Sequence, residues 1–183
     1  MFIQTEKTPN PATIKFLPGQ EILSGGGSMD FQDANNTNAS PLAKRLFTLP
    51  GVSGVFLGGD FVSVSKSDDT DWNMLKPMIL TALMEHLSTG QPIIDAALVK
   101  KDDGEEDDEI TAQIKELLET RVRPAVMMDG GDIVFESFDS GVVYLRMQGA
   151  CAGCPSSTAT LKMGIENMLK HFVPEVQEVR PVA

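Results

Sequence analysis

The segment from Met147 to Ser157 reads MQGACAGCPSS and holds both cysteines of the 183-residue chain, Cys151 and Cys154. Two thiols at this spacing can serve as a disulfide switch, as half of a zinc site or as half of an iron–sulfur site. All three chemistries run through the thiolate. Ala152 and Gly153 are small, and glycine lets the loop curl until both sulfurs face one point; Gly149 offers the same freedom on the entry side. The run VVYLRM before the pair reads as a strand, and Pro155 after it suits the first turn of a helix. Cys154 therefore stands at a helix N-terminus, where exposed N–H groups and the positive end of the helix dipole stabilise a thiolate.

Each alternative makes a different demand on the rest of the chain. A thioredoxin-like thiol–disulfide oxidoreductase needs a βαβ unit before its CxxC and further strands after it. Only 29 residues follow Cys154, enough for one helix and one strand. A zinc site within one chain needs four ligands. There is no second CxxC and no His-x₃₋₅-His; His86 and His171 are the two histidines. They read as a half-buried helix-face residue and a residue in the last turn of a helix, facing its dipole. Iron–sulfur clusters take four thiolates. One chain offers two, so the remaining ligands come from a second copy across a two-fold axis. The thiol pair is expected on an exposed loop.

Composition narrows the function classes. A chain of this length can bury a sufficient core without disulfide staples, and no stretch of about 18 apolar residues suggests a membrane span. The first residues, MFIQTEKTPNP, lack the apolar core of a signal peptide and the Arg/Ser-rich character of a transit peptide. The expected location is the cytoplasm, or a reducing compartment to which a mature form has been delivered. The net charge of −11 repels nucleic acid phosphates and anionic lipid, so neither is an expected partner. More than half of that charge sits in one run, DDGEEDDE from Asp102 to Glu109, with seven carboxylates. Such a block repels itself and reads as a solvated spacer.

The expected architecture is α+β: two small α+β domains, residues 1–90 and 109–183, joined by an acidic flexible linker over 91–108. In the first half, MFIQTE and ATIKFL read as strands around a Pro9-Asn10-Pro11 turn. Residues 41–49 read as a short helix with Ser40 as N-cap. VSGVFLGGDFVSVS reads as a hairpin about Gly58-Gly59-Asp60. Trp72, Leu75, Ile79, Leu83 and His86 follow helical spacing, with Pro77 disturbing the first turns. The intervening SGGGSMDFQDANNTNAS has no Lys-Ser/Thr after its glycines and no GxGxxG, so it reads as a connecting loop rather than a phosphate cradle. In the second half, Ile110, Ile114, Leu117, Leu118 and Val122 share a helical face, with Pro124 ending that helix or tightening its last turn. Asp129-Gly130-Gly131-Asp132 suits a sharp turn into a strand. IVFESF and VVYLRM form a hairpin about Asp139-Ser140-Gly141. After the CxxC loop, Leu161, Ile165, Met168, Leu169 and Phe172 line one helix face, and Val176–Val179 reads as a short edge strand.

Taken together, DGGDI, a hairpin and GACAGCPSSTATLKMGIENML resemble the C-terminal domain of NifU-like (Nfu-type) iron–sulfur cluster proteins. MFIQTEKTPNPATIKFLPG and PLAKRLFTLPGVSGVFLGGDFVSVSK resemble the Nfu N-terminal domain. The resemblance spans nearly the whole chain except the acidic run. It implies a non-enzymatic scaffold or carrier that holds a [4Fe–4S] cluster between two subunits and passes it to apo iron–sulfur client proteins. Cluster assembly factors are further implied partners. The family's cluster ligands fall on Cys151 and Cys154, the loaded form would be a homodimer, and the location the resemblance implies is a bacterial cytoplasm, with the mitochondrial matrix as the alternative. The rivals are a monomeric thiol–disulfide oxidoreductase cycling a Cys151–Cys154 disulfide and a colourless zinc-bridged dimer.

Overall fold

The computed structural model describes residues 2–24, 27–98, 108–152 and 155–182, with the backbone alone over 155–160. The run of glycines at 25–26, most of the acidic run and Cys154 lie outside the described residues. The chain divides into two compact units, Met1–Lys101 and Asp102–Ala183, and both mix helix and sheet, as expected.

The first unit is built on β1 (Gln4–Lys7), β2 (Thr13–Leu17), β3 (Met29–Phe31), β4 (Val52–Leu57) and β5 (Val62–Lys66), with helices α1 (Pro41–Phe47) and α2 (Trp72–Ser88). The strands form an antiparallel sheet in the order β1-β2-β5-β4-β3. Phe16, Val55, Leu57, Val62 and Val64 alternate onto one face of it and bury against Leu42 and Leu46 of α1 and Leu75, Ile79 and Leu83 of α2. Period-two and period-3.6 patterns thus meet in one core.

Local chemistry sets the ends of these elements. Asn10 organises the first turn: its Oδ1 accepts from Ala12 N at 3.0 Å and its carbonyl accepts from Thr13 N at 3.0 Å. Ser40 caps α1, accepting from Ala43 N at 3.0 Å, as its sequence position leads one to expect. Pro77 does not break α2, which runs through it unbroken. It lies close enough to the N-terminus that only an early backbone bond is lost. The expected featureless loop before α1 instead contains β3 and a 3₁₀ turn at Ala34–Asn36. Pairing of Met29 with Leu57 and Phe31 with Val55 lets this short segment extend the sheet.

After α2 the chain returns to the same unit. Ser40 Oγ donates to Ile93 O at 2.6 Å, and Asp95 N donates to Ala39 O at 2.7 Å. His86, fully buried, lies with Nε2 3.0 Å from Pro92 O. A carbonyl only accepts, so Nε2 carries the proton. Ile93 and Ile94 pack on the core. The stretch 92–95, counted as linker on sequence grounds, is tied to the first unit.

The second unit opens with α3 (Glu109–Leu117), capped by Asp108 Oδ1, which accepts from Thr111 N at 2.7 Å. A π turn (Leu118–Val122) leads without a break into α4 (Arg123–Met128). On sequence grounds Pro124 ends the helix or tightens its last turn; in the structure the helix passes through it and the turn before it is widened, not tightened. Proline cannot donate to the carbonyl four residues back and its ring crowds that carbonyl. The preceding turn widens instead, and Arg123 N donates to Leu118 O, five residues back. The widening also serves the core. Ile114, Leu118, Val122 and Val126 are all buried at strict four-residue spacing, which in a regular α-helix would drift about 40° per step. A π turn takes up part of that drift.

The hairpin of β6 (Gly131–Asp139) and β7 (Val142–Gly149) turns through Ser140 (φ 50°) and Gly141 (φ 83°), the left-handed pair of a two-residue hairpin. Helix α5 (Pro155–Phe172) then carries the chain back so that β8 (Glu178–Val182) runs parallel to β7 at the sheet edge, the crossover that a parallel pair requires. Ile133, Val143, Leu145, Ile165, Leu169, Val173 and Val179 close this core with the first helix. Phe172, expected on the buried face of α5, is instead 39% exposed, with the Arg121 guanidinium 4.8 Å from its ring centroid. Its backbone lies in the last turn, where Val173 takes over the core contact.

Candidate functional site

The thiol loop begins where β7 ends. Gly149 takes φ 60° and reverses the chain. Three backbone bonds shape the loop: Ala150 N to Gly130 O at 3.2 Å, Cys151 N to Gln148 O at 3.3 Å and Ala152 N to Gly149 O at 3.1 Å. Two of them close within it. The third ties it to the Asp129–Asp132 turn, where Gly130 has φ 82°. That turn, a helix-to-strand bend in the sequence pattern, is also the floor under the cysteine loop.

Cys151 is 8% exposed and belongs to the apolar core of its unit. The expectation of an exposed thiol pair is therefore not met for this residue. The cause is close packing against Gly131. A Cβ placed on Gly131 would stand 2.6 Å from Cys151 Sγ and 2.8 Å from both Cys151 N and Gln148 O. Only glycine leaves space for the sulfur there. Cys154, the other expected ligand, lies outside the described residues; it directly precedes α5, whose first residue is Pro155 as the sequence suggested.

Next to Gly131, Asp132 is fully buried and meets Arg123 in a two-pronged pair: Nε to Oδ1 and Nη2 to Oδ2, both 2.9 Å. Planar fork-to-fork geometry of this kind gives direction as well as strength. Asp132 Oδ1 also accepts from Ile133 N at 2.7 Å, and Glu119 Oε2 pairs with Arg123 Nη1. The hydrogen bond to Asp132 raises the Arg123 pKa further above its already high ordinary value; burial opposes this and Glu119 adds to it. Sequence reading passed over this cluster. The Glu119–Arg123 pair at i,i+4 is a visible signal, but nothing in the sequence says that Asp132 faces it. Beside the loop, Gln148 Oε1 is buried with no hydrogen-bond partner among the described residues, three positions before the first thiol.

Each histidine has contacts of its own within its unit. His171 lies in the last turn of α5, about 24 Å along the axis from the helix start, and its ring stacks edge-on with Phe172. His86 is engaged with Pro92 O. Among the described residues no group of three or more His, Cys, Asp or Glu side chains is placed to hold a metal ion. No helix among them is long and apolar enough to cross a membrane.

Two compact α+β units, the second with Cys151 laid over a double-glycine turn, define a class of two-domain thiol-bearing proteins. The family models make the class specific: residues 3–90 match the scaffold protein Nfu/NifU N-terminal domain and residues 114–180 match the NifU-like domain. The chain belongs to the Nfu-type NifU-like family. It is 48% identical over 184 aligned residues to a protein of Drosophila sechellia named NFU1 iron-sulfur cluster scaffold homolog, mitochondrial; the match covers 100% of this chain and 65% of that one. The protein of the same name from Drosophila willistoni is 50% identical, with 100% and 64% covered. The chain thus spans slightly under two thirds of the length of these relatives. Among solved structures, the NifU-like protein from Saccharomyces cerevisiae is similar at 33% identity and a TM-score of 0.47, over 52% of this chain and 86% of that one.

Proposed function

We propose that this chain is a scaffold and carrier of iron–sulfur clusters, that its cargo is a [4Fe–4S] cluster, and that Cys151 and Cys154 are the thiolates it lends. The observation that carries the reading is the number and placement of thiols: two per chain, with Cys151 at the mouth of a loop with a glycine floor. Four thiolates then require two chains. A site shared in this way is completed by assembly and opened by exchange, which suits transient holding better than retention. The reaction is ligand substitution: a client thiolate bonds to an iron as a carrier sulfur leaves it, with no net oxidation or reduction. No catalytic residue is needed, and the protein is read as non-enzymatic. Clients are apo iron–sulfur proteins, and assembly factors supply the cargo. The first unit carries no thiol and serves recognition of these partners.

The relatives' names place those proteins in mitochondria, which favours the matrix over the bacterial cytoplasm as the compartment of this chain. Both compartments keep thiols reduced and ready for metal. The domains are proposed as 1–90 and 109–183, joined by the linker of 91–108, whose residues 92–95 bond back to the first unit.

Anaerobic purification and reconstitution of the full chain, followed by visible absorption with iron and acid-labile sulfide analysis, tests the reading. Brown protein with iron and sulfide in equal amounts supports it. Colourless protein with stoichiometric zinc would establish the zinc-bridged alternative, and a metal-free Cys151–Cys154 disulfide that cycles with a dithiol would establish the oxidoreductase.

A further inference from the structure

We propose that Arg123 and Asp132 are positioning residues for Cys151: their ion pair holds the Gly130-Gly131 turn against the cysteine loop and so keeps the thiol sheltered until a cluster or a partner opens it. This rests on the reading of Cys151 as a cluster thiol and adds residues that have no thiol chemistry of their own.

The chain of contacts is short. Arg123 stands at the first position of α4 and Asp132 at the second of β6, so their pairing closes the helix, turn and strand start into a loop. Within that loop lie Gly130, whose carbonyl accepts from Ala150 N, and Gly131, whose backbone abuts Cys151 Sγ. Gly131 pairs in register with Gly149, and Asp132 with Gln148. Displacement of Asp132 by an ångström therefore shifts both walls of the thiol's enclosure. The π turn contributes as well. It sets Arg123 one residue later on the helix surface than a regular α-helix would, and single π turns are frequent at functional sites. Burial of Asp132 makes the clamp directional: a fully buried carboxylate left without its guanidinium is strongly disfavoured, so the turn holds one arrangement rather than several.

Alkylation of the apo chain tests this apart from any cluster. In a full-length Cys154→Ser background Cys151 is the one remaining thiol, and its reaction with iodoacetamide reads how often it is uncovered. Arg123→Lys keeps the charge but loses the fork; Asp132→Asn keeps the shape but loses the charge. Each should raise the alkylation rate about tenfold by local opening, with helix and strand content unchanged by circular dichroism. Val179→Ala, which trims the same core on β8 without touching the clamp, controls for general loosening and should leave the rate within about twofold. Unchanged rates in the two clamp variants, or an equal rise in Val179→Ala, would overturn the proposal. If Asp132→Asn fails to fold, Arg123→Lys decides. Collapse of Arg123→Lys would also overturn it, because the pair would then hold the whole unit and not the loop. Failure of cluster binding would leave these rates untouched, so the two readings fall separately.

Discussion

Ser40 bonds twice in opposite senses: its Oγ accepts from Ala43 N at 3.0 Å to cap α1 and donates to Ile93 O at 2.6 Å, 53 positions away. One hydroxyl thus starts a helix and ties down the segment that leaves the domain. Ser40→Ala removes both bonds and should cost about 2 kcal/mol. Trp72 is the sole tryptophan and lies in the first unit, so its fluorescence during denaturation reads this loss directly.

The same tether bears on where the two units can be parted. With residues 92–95 bonded to Ala39, Ser40 and His86, limited proteolysis of the full chain should spare them. First cuts are expected after Leu98 and before Asp108, leaving two resistant fragments. In Ser40→Ala the cuts should spread back toward Gln91. Early cleavage inside either fragment would refute two autonomous units.

Long periodic segments were legible in the sequence because burial writes a period into them. Leu75, Ile79 and Leu83 announced α2, alternating valines announced the β4–β5 hairpin, and Ser40 before Pro41 announced the start of α1. Short or purely tertiary features were not legible. Met29–Phe31 is too brief to show a period, and becomes a strand only because β4 offers an edge. Pro124 reads as a stop or a tightened last turn because proline chemistry is local, whereas the π turn that accommodates it answers to four buried side chains. In the site, the spacing of Cys151 and Cys154 was plain. That Gly131 would cover Cys151, and that Arg123 would reach Asp132, depends on a strand register no single sequence displays.

Because Cys151 is part of the core, removing its sulfur has two consequences. Cys151→Ala should lose stable cluster binding and also cost about 1–2 kcal/mol of the second unit's stability, as a small buried apolar group is deleted. Cys154→Ser should lose the cluster just as fully. Iron content after anaerobic reconstitution checks the first effect, and denaturation followed at Tyr144, the sole tyrosine, checks the second. Full cluster occupancy in either variant would refute the ligand assignment.

Acid should loosen the second unit through Glu166. Its carboxylate joins α5 to β8, accepting from Lys170 Nζ at 2.8 Å and from Val179 N at 3.2 Å. These bonds, that from Lys170 first, lower its pKa below the ordinary value of 4.5. A folded-state pKa below the unfolded one means stability that is fully present above the unfolded value and lost as pH falls through the folded value. The Arg180 bond lowers Glu178 in the same direction, so both groups work in one pH window. Glu166→Gln should therefore be less stable than the parent at neutral pH and should lose less on acidification. Denaturation midpoints followed at Tyr144 from neutral pH to about pH 3 would show the two curves converging; parallel curves would deny Glu166 this role.

Cluster loading and chain pairing should behave as one equilibrium. Each chain carries two cysteines, so a four-thiolate site draws on two chains unless an outside thiol completes it. A ligand that binds only the paired form stabilises it by mass action, by an amount that grows with the logarithm of its concentration over its dissociation constant. Reconstituted protein in anaerobic sedimentation should carry one [4Fe–4S] cluster per two chains. Chelation should return it to monomer, with the brown colour and the dimer boundary fading together. A full cluster per monomer, without glutathione or another small thiol, would exclude the bridged arrangement. A dimer that survives cluster loss unchanged would keep the thiol assignment and show that a protein interface, rather than the cluster, holds the pair.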